Sequence, residues 1–226
     1  MKHFQDELDK LKSSLVGMAG LAEEAVRRAV QALLDRNPDA AAEVIAADSL
    51  LDELEVTIDA IAINLLALQQ PMARDLRLIA ASMKISSDLE RVGDHAVNIA
   101  ETVKWLSQVP PFPALPEIEE MSHQATDMLG TSLNAFIHGN SKLAREVLHR
   151  DDRVDELHDN NFRILLTHMM EDPRKITAGM DLLLISGNLE RIADLATNIA
   201  EDVVYLVEGR SIKHHAENGQ TPAPAE

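Results

Sequence analysis

The chain has no cysteine. That excludes disulfides, thiolate metal sites and cysteine nucleophiles, and it fits a reducing compartment. Aromatic residues make up 3% of the sequence (one Trp, one Tyr, four Phe), although 46% of the 226 residues are hydrophobic. Leu, Ala, Ile and Val carry that fraction, so the core is aliphatic, as in helical bundles. Basic residues are scarce: 21 Lys and Arg against 38 Asp and Glu leave a net charge of −17. A nucleic-acid-binding face needs a Lys/Arg surface to meet the phosphates, so nucleic acid is not an expected partner. Direct attraction to anionic lipid is excluded for the same reason. An acid-rich surface instead attracts cations or basic proteins. No run approaches the ~20 apolar residues needed to cross a bilayer. The N-terminus, MKHFQDELDKLKSS, is charged and lacks an apolar signal region. A cytoplasmic protein is expected. There is no Gly-rich phosphate loop and no nucleophile motif, so the chain is not read as an enzyme.

What is present is helical periodicity. From about Phe4 to Leu34, the residues Leu8, Leu11, Leu15, Met18, Ala22, Ala25 and Ala29 recur at intervals of three and four. Asn37-Pro38-Asp39 breaks this pattern, with Asp39 the expected N-cap of the next helix. A second seam follows (Ala47, Leu51, Leu54, Ile58, Ile61, Leu65, Leu68) and Gln69-Gln70-Pro71 ends it. A third helix runs from about Ala73 to Leu106, roughly 50 Å at ~1.5 Å per residue. Its seam is Leu78, Ile85, Leu89, Val92, Ala96, Ile99, Val103 and Leu106. Four prolines between Val109 and Pro116 forbid a continuous helix there. Trp105 is expected to pack on that segment. The plan then repeats: a helix from about Glu117 to Ile137, a break at His138-Gly139-Asn140, a helix from Ser141 to about Met170, and a last one after Asp172-Pro173, closed by Gly209. The predicted fold is all-α, two tandem antiparallel three-helix bundles over 1–108 and 117–209. A proline-rich joint at 109–116 connects them, and a disordered tail follows at 210–226.

The repeat is visible residue by residue. Ile85–Glu101 reads ISSDLERVGDHAVNIAE and Ile185–Glu201 reads ISGNLERIADLATNIAE, with eleven of seventeen positions identical. Both copies keep Glu90/Glu190, Arg91/Arg191, Asp94/Asp194, Asn98/Asn198 and Glu101/Glu201. A period this long marks a duplicated half-domain. The acids and Asn98 form one stripe opposite the apolar seam of their helix. On the middle helix, Asp48, Asp52, Glu55 and Asp59 each follow a seam residue, and Asp151, Asp155 and His158 stand at the positions of Asp48, Asp52 and Glu55. Carboxylates four apart repel by about 0.2–0.5 kcal/mol. If middle and last helices are neighbours, several oxygen ligands converge in each half, a set suited to Mg²⁺, Mn²⁺, Ca²⁺ or iron. From the residues alone two simpler readings stay open. The stripes can be solvated surface, or Arg91 and Arg191 can neutralise the acids without metal.

The string Leu-Glu-Arg-x-x-Asp-x-x-x-Asn-Ile-Ala-Glu, present from Leu89 and again from Leu189, closely resembles the PhoU family of phosphate-transport accessory proteins. The resemblance extends over the tandem halves and the segment Pro71-Met-Ala-Arg-Asp-Leu-Arg77, to about Gly209. It implies a regulator that dampens the phosphate-starvation response from the cytoplasmic side of the membrane, reached only through partner proteins. The implied partners are the ATPase subunit of a phosphate ABC transporter, a sensor histidine kinase and a second copy of the chain. The resemblance also implies a multinuclear cluster of iron, zinc, manganese or magnesium on Asp48, Asp52, Glu90, Asp94, Asp151, Asp155, Glu190 and Asp194. Asn98, Glu101, Asn198 and Glu201 extend those stripes. The competing reading is a carboxylate-bridged metal store or di-metal oxidase. That class uses paired inward-facing Glu-x-x-His motifs, and this chain has a single one, Glu146-Val-Leu-His149.

Overall fold

The computed structural model describes residues 2–69, 71–113 and 115–212. They form α1 (Lys2–Leu34), α2 (Pro38–Ala47), α3 (Ser49–Gln69), α4 (Ala73–Leu106), α5 (Pro116–His138), α6 (Ser141–Leu148), α7 (Asp151–Glu171) and α8 (Ile176–Glu208). A short 3₁₀ turn, Pro173–Lys175, precedes α8. In the first half α1, the α2–α3 pair and α4 pack around Leu11, Leu15, Met18, Ile58, Ile85, Leu89 and Ile99. In the second, α5, the α6–α7 pair and α8 do the same around Met121, Met128, Leu157 and Leu189. The two bundles are not beads on a string. Their third helices, α4 and α8, make the most extensive helix pair in the molecule. They run antiparallel: His95 Nδ1 lies 2.9 Å from Asn188 Oδ1, while Lys84 Nζ lies 3.7 Å from the buried carboxylate of Asp202.

The middle helices depart from the sequence reading. Each was expected to be continuous, and each breaks near its start, after Ala47 and again at His149–Arg150. A tight turn carries each break, closed by Leu51 N–H donating to Asp48 C=O at 2.8 Å and by Arg150 N–H donating to Val147 C=O at 3.0 Å. The break lets Ala41 and Val44 face the core together with Leu51 and Ile58, and it turns the expected seam residue Ala47 to solvent. Leu68, at the far end of the same seam, is also exposed. Asn37, not Asp39, is the N-cap: its Oδ1 accepts from the backbone N–H of Asp39 and Ala40, both at 3.1 Å. Pro38 has no N–H to offer and fits the first helical position, which puts the cap two residues before Asp39.

Trp105 is not packed on the proline-rich segment; it is 64% exposed. Phe112 takes that role, packed against the core. Arg36, in the left-handed region at φ 50°, ends α1, and its Nη2 donates to Leu106 C=O at 2.5 Å and Val109 C=O at 2.8 Å. Gly139 occupies the corresponding turn in the second half at φ 59° without strain. Of the tail expected to be disordered, residues 213–226 lie outside the described residues; Ile212 at its start is buried.

Gly93 sets the distance between α3 and α4. A Cβ there would lie 2.5 Å from Leu51 Cδ1 and 3.3 Å from Asp48 Oδ1. In the second half the counterparts are Ala193 and Val154, both fully buried, so a larger helix residue is matched by a smaller partner. Gly93→Ala is expected to cost about 1–3 kcal/mol through overpacking, and Leu51→Val should recover most of it. Denaturant unfolding of the two single variants and the double variant checks this; additive losses would refute the pairing.

Candidate functional site

The break in each middle helix puts carboxylates at a helix N-terminus. Asp52 lies in the first turn of α3, just after Asp48, and Asp151 and Asp152 lie in the first turn of α7. The positive end of the helix dipole offsets part of the repulsion, worth about 0.3–1 kcal/mol per charge. α3 packs on α4 and α7 on α8, so the middle-helix acids meet the third-helix acids of their own half.

The electrostatics show which groups meet. In the first half, burial raises the Asp48 carboxyl above its ordinary pKa, with repulsion from Asp52 and Asp94 adding to it. Glu90 is raised by burial and then by Asp94, Glu55, Asp52 and Asp48. In the second half, Asp151 is pushed up to about 6, first by burial and then by Asp155, Asp194, Asp152 and Glu190. Asp155 is raised by burial, Asp194 and Asp152, with His158 opposing. The eight primary candidates therefore assemble as two clusters, Asp48/Asp52/Glu90/Asp94 and Asp151/Asp155/Glu190/Asp194. The sequence sets Glu55 and His158 at matching positions of the two sites, which makes the sites inequivalent, and Asp152 is read there as solvated surface. Glu55 joins the first cluster, and Asp152 and His158 adjoin the second. His158 Nδ1 lies 3.1 Å from Ser186 Oγ, which also accepts from the buried Asn161 amide at 3.2 Å. The spacing of Glu55 from Asp52 carried a signal; the closeness of His158 to α8 did not.

The arginines do not serve the two halves equally. Arg191 reaches Asp194 within the second cluster at 3.3 Å. Arg91 turns instead to Asp88, at 3.5 Å, outside the first cluster. Neutralisation by arginine thus describes one acid of one half. The donor set is otherwise anionic oxygen, with His158 the single nitrogen, and its charge and donor type fit a hard multivalent cation. Among the described residues no three Asp, Glu or His side chains stand already gathered to hold a metal ion. A cation would have to draw the carboxylates inward by rotamer changes.

Asn98 and Glu101 lie one and about two turns beyond Asp94, the latter roughly 10 Å along α4 at ~1.5 Å per residue. Asn198 and Glu201 stand likewise beyond Asp194; they are half-buried, whereas Asn98 and Glu101 are exposed. Glu146 and His149 are exposed and do not face a bundle interior, where a di-metal oxidase places its ligands.

A carboxyl whose pKa is higher in the folded than in the unfolded chain favours folding only while protonated. For Asp151 the stability lost begins near the unfolded value of about 3.9 and is complete above a pH of about 6. In chelator-treated protein, Asp151→Asn should therefore raise the unfolding temperature at pH 7.5 by about 2–4 °C, the equivalent of roughly 1 kcal/mol once solvent screening of a half-exposed group is allowed for. The gain should vanish near pH 4. A gain that persists at pH 4 would mean that charge is not its cause.

The two repeated halves have counterparts in known proteins. The PhoU domain family matches twice, over residues 15–103 and 118–203. A phosphate-specific transport system accessory protein PhoU homolog of Aquifex aeolicus is 44% identical over 214 residues, 95% of this chain and 96% of its own length. The crystal structure of PhoU from Pseudomonas aeruginosa superposes with a TM-score of 0.89 at 38% identity, covering 92% of this chain and all of that one. The phosphate transport system regulatory protein PhoU from Streptococcus pneumoniae gives a TM-score of 0.84 at 31% identity, covering 93% of this chain and 99% of that one. With both halves matched and the similarity running nearly end to end, the chain belongs to the PhoU family.

Proposed function

We propose that the chain is a non-enzymatic regulator of phosphate uptake. In this reading it is a negative regulator of phosphate-starvation signalling that couples a phosphate ABC transporter to a sensor histidine kinase. The observation that carries it is similarity over nearly the whole chain to proteins named as accessories of a phosphate-specific transport system. Among the described residues no helix is long and apolar enough to cross a membrane, so contact with the membrane would run through partner proteins, on its cytoplasmic face. The chain would bind the transporter's ATPase subunit and the kinase, as a homodimer. Coupling of this kind needs no chemistry. It requires that each partner bind one state of the chain more tightly than another.

The acid clusters fit this role as cation sites. Asp48, Asp52, Glu90 and Asp94 would hold one cation group, and Asp151, Asp155, Glu190 and Asp194 the other. A bound cation supplies positive charge where carboxylates repel and links the start of the middle helix to the third helix of the same half. Partner surfaces formed across those helices would then be firmer with metal than without.

In a host strain with no second copy of the gene, deletion should switch on a phosphate-starvation reporter in phosphate-rich medium. Restoring this chain should switch it off, and unchanged repression after deletion would defeat the proposal. Elemental analysis of untagged protein, purified without chelator, should find iron, manganese, zinc or magnesium near stoichiometric levels. Glu90→Gln, Asp94→Asn, Glu190→Gln and Asp194→Asn combined should remove it with helicity unchanged. Equal metal in parent and variant would place the cation elsewhere. Sedimentation of the same samples reports whether the chain is a dimer.

A further inference from the structure

His158 is the one nitrogen donor beside the second acid cluster, and a buried amide with no counterpart in the first half stands behind it. Its Nδ1 lies 3.1 Å from Ser186 Oγ on α8. Three residues further along α7, the fully buried amide of Asn161 donates to the same oxygen at 3.2 Å and approaches Met121 Sδ at 3.5 Å. Ser186, also fully buried, donates its hydroxyl hydrogen to that sulfur at 3.3 Å.

The first half is built differently. At an offset of 103 residues Glu55 stands for His158, Ile58 for Asn161 and Met18 for Met121, and at an offset of 100 Ser86 stands for Ser186. Ile58 and Met18 are fully buried in the aliphatic core, and Ser86 returns its hydroxyl to Met83 C=O of its own helix at 2.9 Å. An apolar residue therefore packs at this depth, as Ile58 does. Asn161 instead leaves its Oδ1 buried without a hydrogen-bond partner, a cost that core packing does not explain. What the amide gains is Ser186, and through it the ring of His158.

The protons follow from the donor count. A serine hydroxyl has one hydrogen and two lone pairs. The Ser186 hydrogen goes to Met121 and Asn161 occupies one lone pair, so the other accepts from His158 Nδ1–H. A neutral imidazole with its hydrogen on Nδ1 carries its free lone pair on Nε2. Among the described residues His158 Nε2 has no hydrogen-bond partner. Metal-bound histidines are held in this way, one ring nitrogen donating to an acceptor and the other left for the metal. His158 is half-buried and one turn beyond Asp155, whose carboxylate feels its charge.

We propose that His158 is a ligand of the second cation site, held for that role by Ser186 and Asn161, and that it makes the two sites select different metals. The second site, with an imidazole among its carboxylates, prefers zinc to calcium or magnesium by a wider margin than the first, which has Glu55 in that place and is all oxygen. The inference rests on the reading of the acid clusters as cation sites. It adds a ligand and a selectivity that the carboxylates alone do not carry.

Calorimetric titration of the chelator-treated full chain at pH 7.5, with zinc and separately with calcium, is the test. Glu90→Gln with Asp94→Asn silences the first cluster so that the second is read alone. Zinc should bind, and His158→Gln should weaken it at least about tenfold while calcium binding changes less than about twofold. Ser186→Ala, which frees the ring, should also weaken zinc about tenfold. Proton–nitrogen correlation spectra of the zinc-loaded chain give a readout independent of affinity. The ring signals lost in His158→Gln should show hydrogen on Nδ1 and zinc on Nε2. Unchanged zinc affinity in His158→Gln at equal helicity, or zinc on Nδ1, overturns the proposal and leaves the clusters as cation sites. Zinc that binds equally well once Glu190→Gln and Asp194→Asn are added overturns both, since neither cluster would then hold it.

Discussion

The antiparallel pairing of α4 and α8 is the contact on which the rest of the molecule depends. Each of these helices is the inner wall of its own bundle and also the surface against the other bundle, which is why both are buried over so many positions. Polar groups fix their register. Asp202 is almost fully buried and meets Lys84 from the opposite half. Because the helices run in opposite directions, the two halves present their acid clusters in a reversed, nearly symmetric arrangement.

That arrangement carries an electrostatic cost in each half. In the first half burial and the neighbouring carboxylates raise the pKa of Asp48 and Glu90, and in the second Asp151 is raised to about 6. A chain selected for stability alone would relieve this with a lysine or arginine, and Arg191 does so for Asp194 alone. The unrelieved repulsion is the physical reason to look for a cation. The helix N-termini of α3 and α7 lower the cost without removing it.

The two halves differ where they meet something else. Leu51 packs where a Cβ on Gly93 would stand, and at the corresponding positions of the second half Val154 and Ala193 are both fully buried. Arg36 accepts a left-handed backbone because its guanidinium ties down the joint, while Gly139 at the same turn needs no such return.

Helical periodicity is local, so the sequence by itself determined the eight helices nearly as three per half, the aliphatic seams through Leu11, Ile58 and Ile99, the duplication, and the acids that belong together. It also determined the family, since the repeated Leu-Glu-Arg-x-x-Asp string is carried in the order of residues. Only the tertiary structure decided where the middle helices break, which residue caps α2, that Phe112 and not Trp105 packs at the joint, that Glu55 joins the first cluster and that Arg91 turns away from it. Those outcomes depend on which helix lies against which, and on whether a Cβ fits at Gly93. No spacing along one helix contains that information, because it arises from distances between residues tens of positions apart.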